Sequence, residues 1–305
     1  MTIERLIRSG RGALIAILPG IWACSTPKQS AVVEPASSET TRPRFPDDGM
    51  TVEGPKVSAP APGPMRIQLP GSLVEIELLR VPGGTYTTAD GPVVIAPFWL
   101  ARTETTWDAY DVMVFRLDRP ENERQGVDGV ARPTKPYINV DRGFGHAGYP
   151  ALSMSAQGAA SFCTWLSDAT GKHFRLPTPI EHEWAARALS PTPYGCGSIE
   201  ALGKHAWFRD NSERTTHPVG GKSPNAWGFV DLHGNVGEWT VDAEGKSFVV
   251  GGSFAESAAA LEAGKRRTPS PSWNASDPQI PKSVWWLADA NFVGFRIACD
   301  ATTVP

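Results

Sequence analysis

The sequence predicts an α+β domain with little regular secondary structure, and three observations carry that expectation. Gly (30) and Pro (28) make up nearly a fifth of the 305 residues, a density that interrupts long helices and excludes a helical bundle. Apolar repeats of helical period fall in the first half of the folded part and give way to irregular stretches toward the end. All of the 11 Trp except Trp22 lie beyond residue 98, so large aromatics must pin those irregular stretches into a core. A hydrophobic fraction of 41% is enough to fill one large domain or two small ones. With a net charge of −3 and no long basic run, bulk nucleic-acid binding is excluded.

Taken in chain order, the first element is a targeting segment. Arg5, Arg8 and Arg11 precede the apolar run from Ala13 to Leu18, which is too short to cross a bilayer and has the layout of a secretory signal over residues 1–23. Ile21-Trp22-Ala23-Cys24 resembles a bacterial lipoprotein cleavage box, with Trp22 as its departure from pattern. The resemblance implies lipidation at Cys24 and export to a bacterial membrane, facing periplasm or cell surface. Plain secretion and an uncleaved anchor are the alternatives. Residues 24–69 carry Pro27, Pro35, Pro43, Pro46, Pro55, Pro60, Pro62 and Pro64 without hydrophobic periodicity, and are expected to form an extended tether. The folded domain is then expected over residues 70–305.

Within it, Val74 to Leu78 alternates with period two and reads as a strand, followed by the turn Pro82-Gly83-Gly84. Val93-Val94-Ile95 and Phe98-Trp99-Leu100 read as further short strands. Thr105 or Thr106 caps a helix whose apolar face holds Trp107, Tyr110, Val114 and Phe115. A second helix after Ser155 places Ala159, Phe162, Cys163 and Leu166 on one stripe, so Cys163 faces the core. Thr178-Pro179-Ile180-Glu181 carries a capping box with proline at the first helical position, and starts a third. Loops and short strands follow Arg187. There is no phosphate-binding loop, dinucleotide fingerprint or nucleophile elbow. His146, His173, His182, His205, His217 and His233 show no metal-ligand spacing.

Two long motifs and several short ones bring a resemblance. Arg175 to Arg187 (RLPTPIEHEWAAR) and Gly228 to Trp239 (GFVDLHGNVGEW) are similar to signatures of the formylglycine-generating enzyme (sulfatase-modifying factor) family. Phe98-Trp99 through Glu104-Thr105-Thr106, Tyr149-Pro150 through Leu166, Gly251-Gly252-Ser253-Phe254 and Val293-Gly294-Phe295-Arg296 follow in the family's order. The resemblance spans about residues 70–300. It implies a single domain related to C-type lectins, with a tryptophan-rich interior.

The family's oxidases hold copper(I) between two thiolates, because soft anionic sulfur suits a soft monovalent metal. Here Glu256 and Leu261 occupy those positions and Gly237 replaces a tryptophan beside them, so copper binding and formylglycine generation are not expected. A groove around Ser253, Phe254 and Glu256 remains. The resemblance also implies a structural calcium site at Asp231, Gly234, Val236 and Glu238, whose hard oxygen donors suit that ion, and a second one involving Asn211 and Ser212. It implies a disulfide between Cys163 and Cys299, with Cys299 standing two residues past the family position, Ile297. Cys196 is then a small apolar filler in a loop. Arg175, Arg187 and Arg296 are expected to pair with carboxylates such as Glu104 or Glu181, while Trp273, Trp285 and Trp286 serve packing. Lys265-Arg266-Arg267 reads as a solvated turn. The functional expectation is a membrane-tethered, non-catalytic binding or scaffold module for a peptide, protein or glycan. The alternative is a non-heme-iron-type enzyme in which Glu256 and a histidine hold the metal.

Overall fold

The structure is a computed structural model that describes residues 63–88, 91–124 and 132–301. The signal segment, Cys24 and the tether up to residue 62 lie outside the described residues. The chain opens with β1 (Met65–Gln68), β2 (Glu75–Val81), β3 (Gly84–Thr88), β4 (Gly91–Ile95) and β5 (Phe98–Ala101), and then α1 (Trp107–Val114). Next come α2 (Ala156–Thr170), β6 (Phe174–Arg175) and α3 (Pro179–Arg187). The second half holds β7 (Gly237–Val241), β8 (Ser247–Val250), β9 (Arg266–Arg267), β10 (Val293–Gly294) and β11 (Ala298–Asp300). Long irregular segments and single turns of 3-10 helix separate these elements, giving the α+β architecture expected from composition.

An antiparallel sheet of order β1-β2-β5-β11-β6 joins the N-terminal strands to the last strand of the domain. The second sheet has the order β10-β7-β8-β9, with β10 parallel to β7 and the remaining pairs antiparallel. β3 and β4 form a separate hairpin. One boundary is corrected here: Met65–Gln68, assigned to the tether, is a sheet strand paired with Glu75–Leu78. Its proline-rich flank hid the period-two pattern of Met65, Ile67 and Leu69, whose last two side chains are buried.

The helix caps follow from local sequence. Thr106 accepts from the Ala109 N–H, Ser155 from Gly158, and Thr178 from Glu181, whose carboxylate returns a bond to the Thr178 N–H. Each satisfies donors that a helix start leaves open. The helices and both sheets bury an aromatic centre in which Tyr110 meets Trp286, Phe295 and Phe162 at ring distances of 5.9, 5.7 and 5.8 Å. Burying one such ring contributes about 4 kcal/mol or more of transfer free energy, so few regular elements suffice. Trp273, Trp285 and Trp286 are all buried, as their packing assignment requires.

Candidate functional site

The segment after β8 builds the floor of the site. Gly251 and Gly252 have φ of 83° and 69°, a left-handed turn that glycine adopts without cost. A side chain at Gly252 would in any case meet Leu261 Cδ1 at 2.7 Å. The turn delivers Ser253, Phe254 and Glu256 side by side. Ser253 Oγ donates to Glu256 Oε2 at 3.1 Å, and Arg267 from β9 forms a direct ion pair with Glu256 Oε1. The Arg267 guanidinium lies 4.6 Å from the centre of the Phe292 ring and 5.9 Å from that of Trp273. Phe254 is buried and meets Phe144 edge to face at 5.3 Å. Arg209 closes the other side, its backbone N–H donating to the Glu256 carbonyl and its Nε to the Ala255 carbonyl. Lys265-Arg266-Arg267 is therefore corrected from solvated turn to half-buried strand and ion pair, because β8 and the carboxylate of Glu256 draw the arginines inward.

The two positions that the resemblance aligns with the family's thiolates have separate fates. Glu256 is ion-paired at the half-buried floor, whereas Leu261 is fully buried among Tyr194, Leu202, Ala206 and Phe208. A ring nitrogen of His233, Nδ1, lies 2.7 Å from the Leu261 carbonyl, and its Nε2 accepts from the Gly195 N–H. Burial pushes His233 down to about 4, so it is neutral with both nitrogens engaged. Where relatives place tryptophan, a side chain at Gly237 would meet Val249 Cγ1 at 2.6 Å. The space of the missing indole is filled by packing.

Behind the floor lies a buried charge network. Arg296 bonds both oxygens of Glu238 at 2.6 Å, and its other donors reach the carbonyls of Ala101, Arg102 and Val230. His182 Nε2 stands 3.2 Å from Glu238 Oε2. Burial opposes the Glu238 charge, but Arg296 and then His182 outweigh it and hold the carboxyl down at about 2. Glu104 accepts from the Val236 N–H and the Asn235 amide. Burial, then the charges of Asp231 and Glu238, lift Glu104 well above the carboxylate range. Burial also raises Asp231, which accepts from the Gly220 N–H through one oxygen and leaves the other buried without a partner.

Of the side chains in the expected calcium set, Asp231 presents an open oxygen, whereas Glu238 is paired with Arg296 and stands beside His182. At the second site the Asn211 amide oxygen accepts from Phe208 N–H and its nitrogen donates to Gly203 and Ala206 carbonyls. The Ser212 carbonyl lies 2.9 Å from His217 Nε2 and accepts from the Thr215 N–H. No group of three His, Cys, Asp or Glu side chains among the described residues is arranged to hold a metal ion.

The two cysteines that the resemblance pairs, Cys163 and Cys299, lie on α2 and β11 with both side chains buried. Cys196 packs beside the Leu261 cluster, its thiol bonded to the Ser198 carbonyl. Arg175 pairs with Glu181, and Arg187 with Glu183. The partner of Arg296 is Glu238 rather than Glu104. Sequence reading missed His146, which stacks on Trp107 at 5.2 Å with Nε2 2.7 Å from Asp111 and Nδ1 3.6 Å from Asp141. Only folding brings the two aspartates together.

Fold and site define a class: an aromatic-pinned α+β domain whose floor, beside a Gly-Gly-Ser-Phe turn, carries an ion pair. The family model of the sulfatase-modifying factor enzyme 1-like domain matches residues 72–301, and the chain belongs to that family. A formylglycine-generating enzyme of Mycobacterium tuberculosis is 32% identical over 106 residues, covering 31% of this chain and 33% of the relative. That of Thermomonospora curvata is 30% identical over 166 residues, covering 50% and 44%. The chain thus spans less than half the length of these curated relatives. Among solved structures, Treponema denticola variable protein 1 superposes with a TM-score of 0.57 at 20% identity, covering 78% of this chain and 99% of its own. PvdO from Pseudomonas aeruginosa gives 0.52 at 22%, covering 77% and 100%. Both show the shared fold.

Proposed function

We propose that this chain is a non-catalytic, membrane-tethered binding module of the formylglycine-generating enzyme family. One observation carries the reading: the thiolate positions hold an ion-paired carboxylate, Glu256, and a leucine sealed in an apolar cluster, Leu261. A hard carboxylate already neutralised by Arg267 offers copper(I) nothing, and leucine offers no donor. Iron chemistry with Glu256 fares no better, since His233 and His217 are engaged by backbone groups. The reading assigns no role to calcium. What remains is the segment Ser253 to Glu256, in which Ser253 and Phe254 are buried and Glu256 is partly exposed beside Arg267. Such a scaffold presents a surface without performing a reaction.

The test is direct. Protein purified without added metal is expected to contain neither stoichiometric copper nor iron, and to leave a cysteine peptide unoxidised when copper(I) and oxygen are supplied. Formylglycine in that peptide, read by mass, overturns the reading. Tethering belongs to the proposal through Cys24. No helix among the described residues is long and apolar enough to cross a membrane. Replacing the anchor sulfur in Cys24→Ala is expected to move the protein from the membrane to the soluble fraction. Continued membrane association removes the lipid anchor from the proposal.

A further inference from the structure

We infer that the Glu256–Arg267 pair is the closed form of a carboxylate-binding subsite, and that its ligand is an acidic peptide running in extended form along the outer edge of β9. The inference rests on the binding-module reading and names the ligand class of its site.

Donors outnumber acceptors at this floor. Arg267 spends Nη2 on Glu256 while Nη1 is buried with no hydrogen-bond partner. Its neighbour Arg266 lies over Phe248 at 5.9 Å with Nε in the same condition. Arg209 flanks Glu256 from the other side and is exposed. Lys265 is already matched by Glu262 at 3.2 Å. Arg267 thus engages the one carboxylate and Arg209 bonds the backbone beside it, while Arg266, the preceding residue of β9, lies over Phe248 on the other face of the strand. A planar carboxylate accepts two parallel bonds from an arginine, and Glu256 supplies a single such group from within the chain. Its side chain and that of Arg267 remain 15% and 17% exposed, so an incoming carboxylate can compete for the guanidinium while Glu256 keeps Ser253 Oγ as its partner.

Peptide rather than glycan follows from two features of the surroundings. Trp273 and Phe292, the rings nearest Arg267, are each 7% exposed and are covered by the guanidinium, leaving no ring face on which a sugar could stack. β9 is the last strand of its sheet and pairs only with β8, so its outer edge offers backbone groups to an added strand. Acidic side chains alternate along such a strand, and those on one face reach Arg267.

The test uses the full chain with three probes: a labelled short polyglutamate peptide, a polyglutamine peptide of equal length, and an oligogalacturonate. Polyglutamate is expected to bind and polyglutamine is not, with affinity falling as salt rises. Glu256→Gln, which removes the internal competitor and preserves the shape, is expected to bind polyglutamate about tenfold more tightly, and Arg267→Gln to lose it. Arg209→Gln, at an exposed site, gives the same direction if Arg267→Gln fails to fold. Unchanged affinity in Glu256→Gln overturns the inference. Oligogalacturonate binding as tightly as polyglutamate overturns the peptide assignment. A copper-free, inactive preparation that ignores polyglutamate sinks this inference alone, whereas formylglycine production sinks the underlying reading.

Discussion

Two of the arginine–glutamate pairs in this domain differ in how completely the arginine is satisfied. Arg296 is fully buried, and every nitrogen of its guanidinium has an acceptor, in Glu238 and three backbone carbonyls. Arg267 is half-buried, bonds one carboxylate, and leaves Nη1 without a partner. Saturation distinguishes a pair that holds the fold from one that keeps capacity for something else. A buried charge must be matched on all sides or its desolvation penalty is uncompensated. A half-buried charge tolerates an open donor where ring faces share the load.

Breaking the first pair should cost most. Glu238→Gln leaves Arg296 as a buried, uncompensated charge, and a loss of about 3–5 kcal/mol in chemical denaturation is expected. A loss below about 1 kcal/mol would erase the contrast between the pairs. The same residue sets acid sensitivity. Because its folded value, about 2, lies below the ordinary 4.5, its contribution is complete above 4.5 and lost as pH falls toward 2. Glu238→Gln should flatten that part of the stability profile.

Leu261→Ala comes next, at about 2–4 kcal/mol, since the side chain is fully buried beside Phe208 and Tyr194. A neutral outcome would mean that this former metal position is not a packing site. His146 provides a smaller effect of opposite sign in pH. Burial opposes its charge, but Asp111 and Asp141 prevail and raise its pKa. Its contribution is therefore present below the ordinary 6.5 and lost as pH rises through the folded value. His146→Gln should remove that pH dependence from thermal melts, and a wild-type profile unchanged by the substitution would refute it. Smallest of all, Glu256→Gln should change stability by less than about 1 kcal/mol. Chelator should leave the melting temperature unchanged within about a degree, whereas a rise of several degrees on adding calcium would place the ion on the open oxygen of Asp231.

Much of the scaffold was legible because its signals are local. Thr106, Ser155 and Thr178 announce the helix starts through bonds to residues three positions on. The alternation of Val74 to Leu78 marks the core of β2. The expectation that Glu256 and Leu261 stand at the thiolate positions needed only their identities. β1 was missed although Met65, Ile67 and Leu69 alternate, because prolines before it masked a pattern that gains meaning only beside β2. Assigning Lys265-Arg266-Arg267 to solvent failed for a related reason. A basic run looks the same whether it faces water or a carboxylate eleven residues away.

The sequence by itself determined the fold family and the helix caps, both of which follow from residue identity or from neighbours within one turn. Tertiary structure alone decided which carboxylate each arginine takes. Arg296 chose Glu238 over Glu104 across 58 residues. It also decided that Arg267 meets Glu256 with a donor to spare. Ion pairs and metal cages depend on distances of a few ångströms between remote segments, and only the packed core sets those distances.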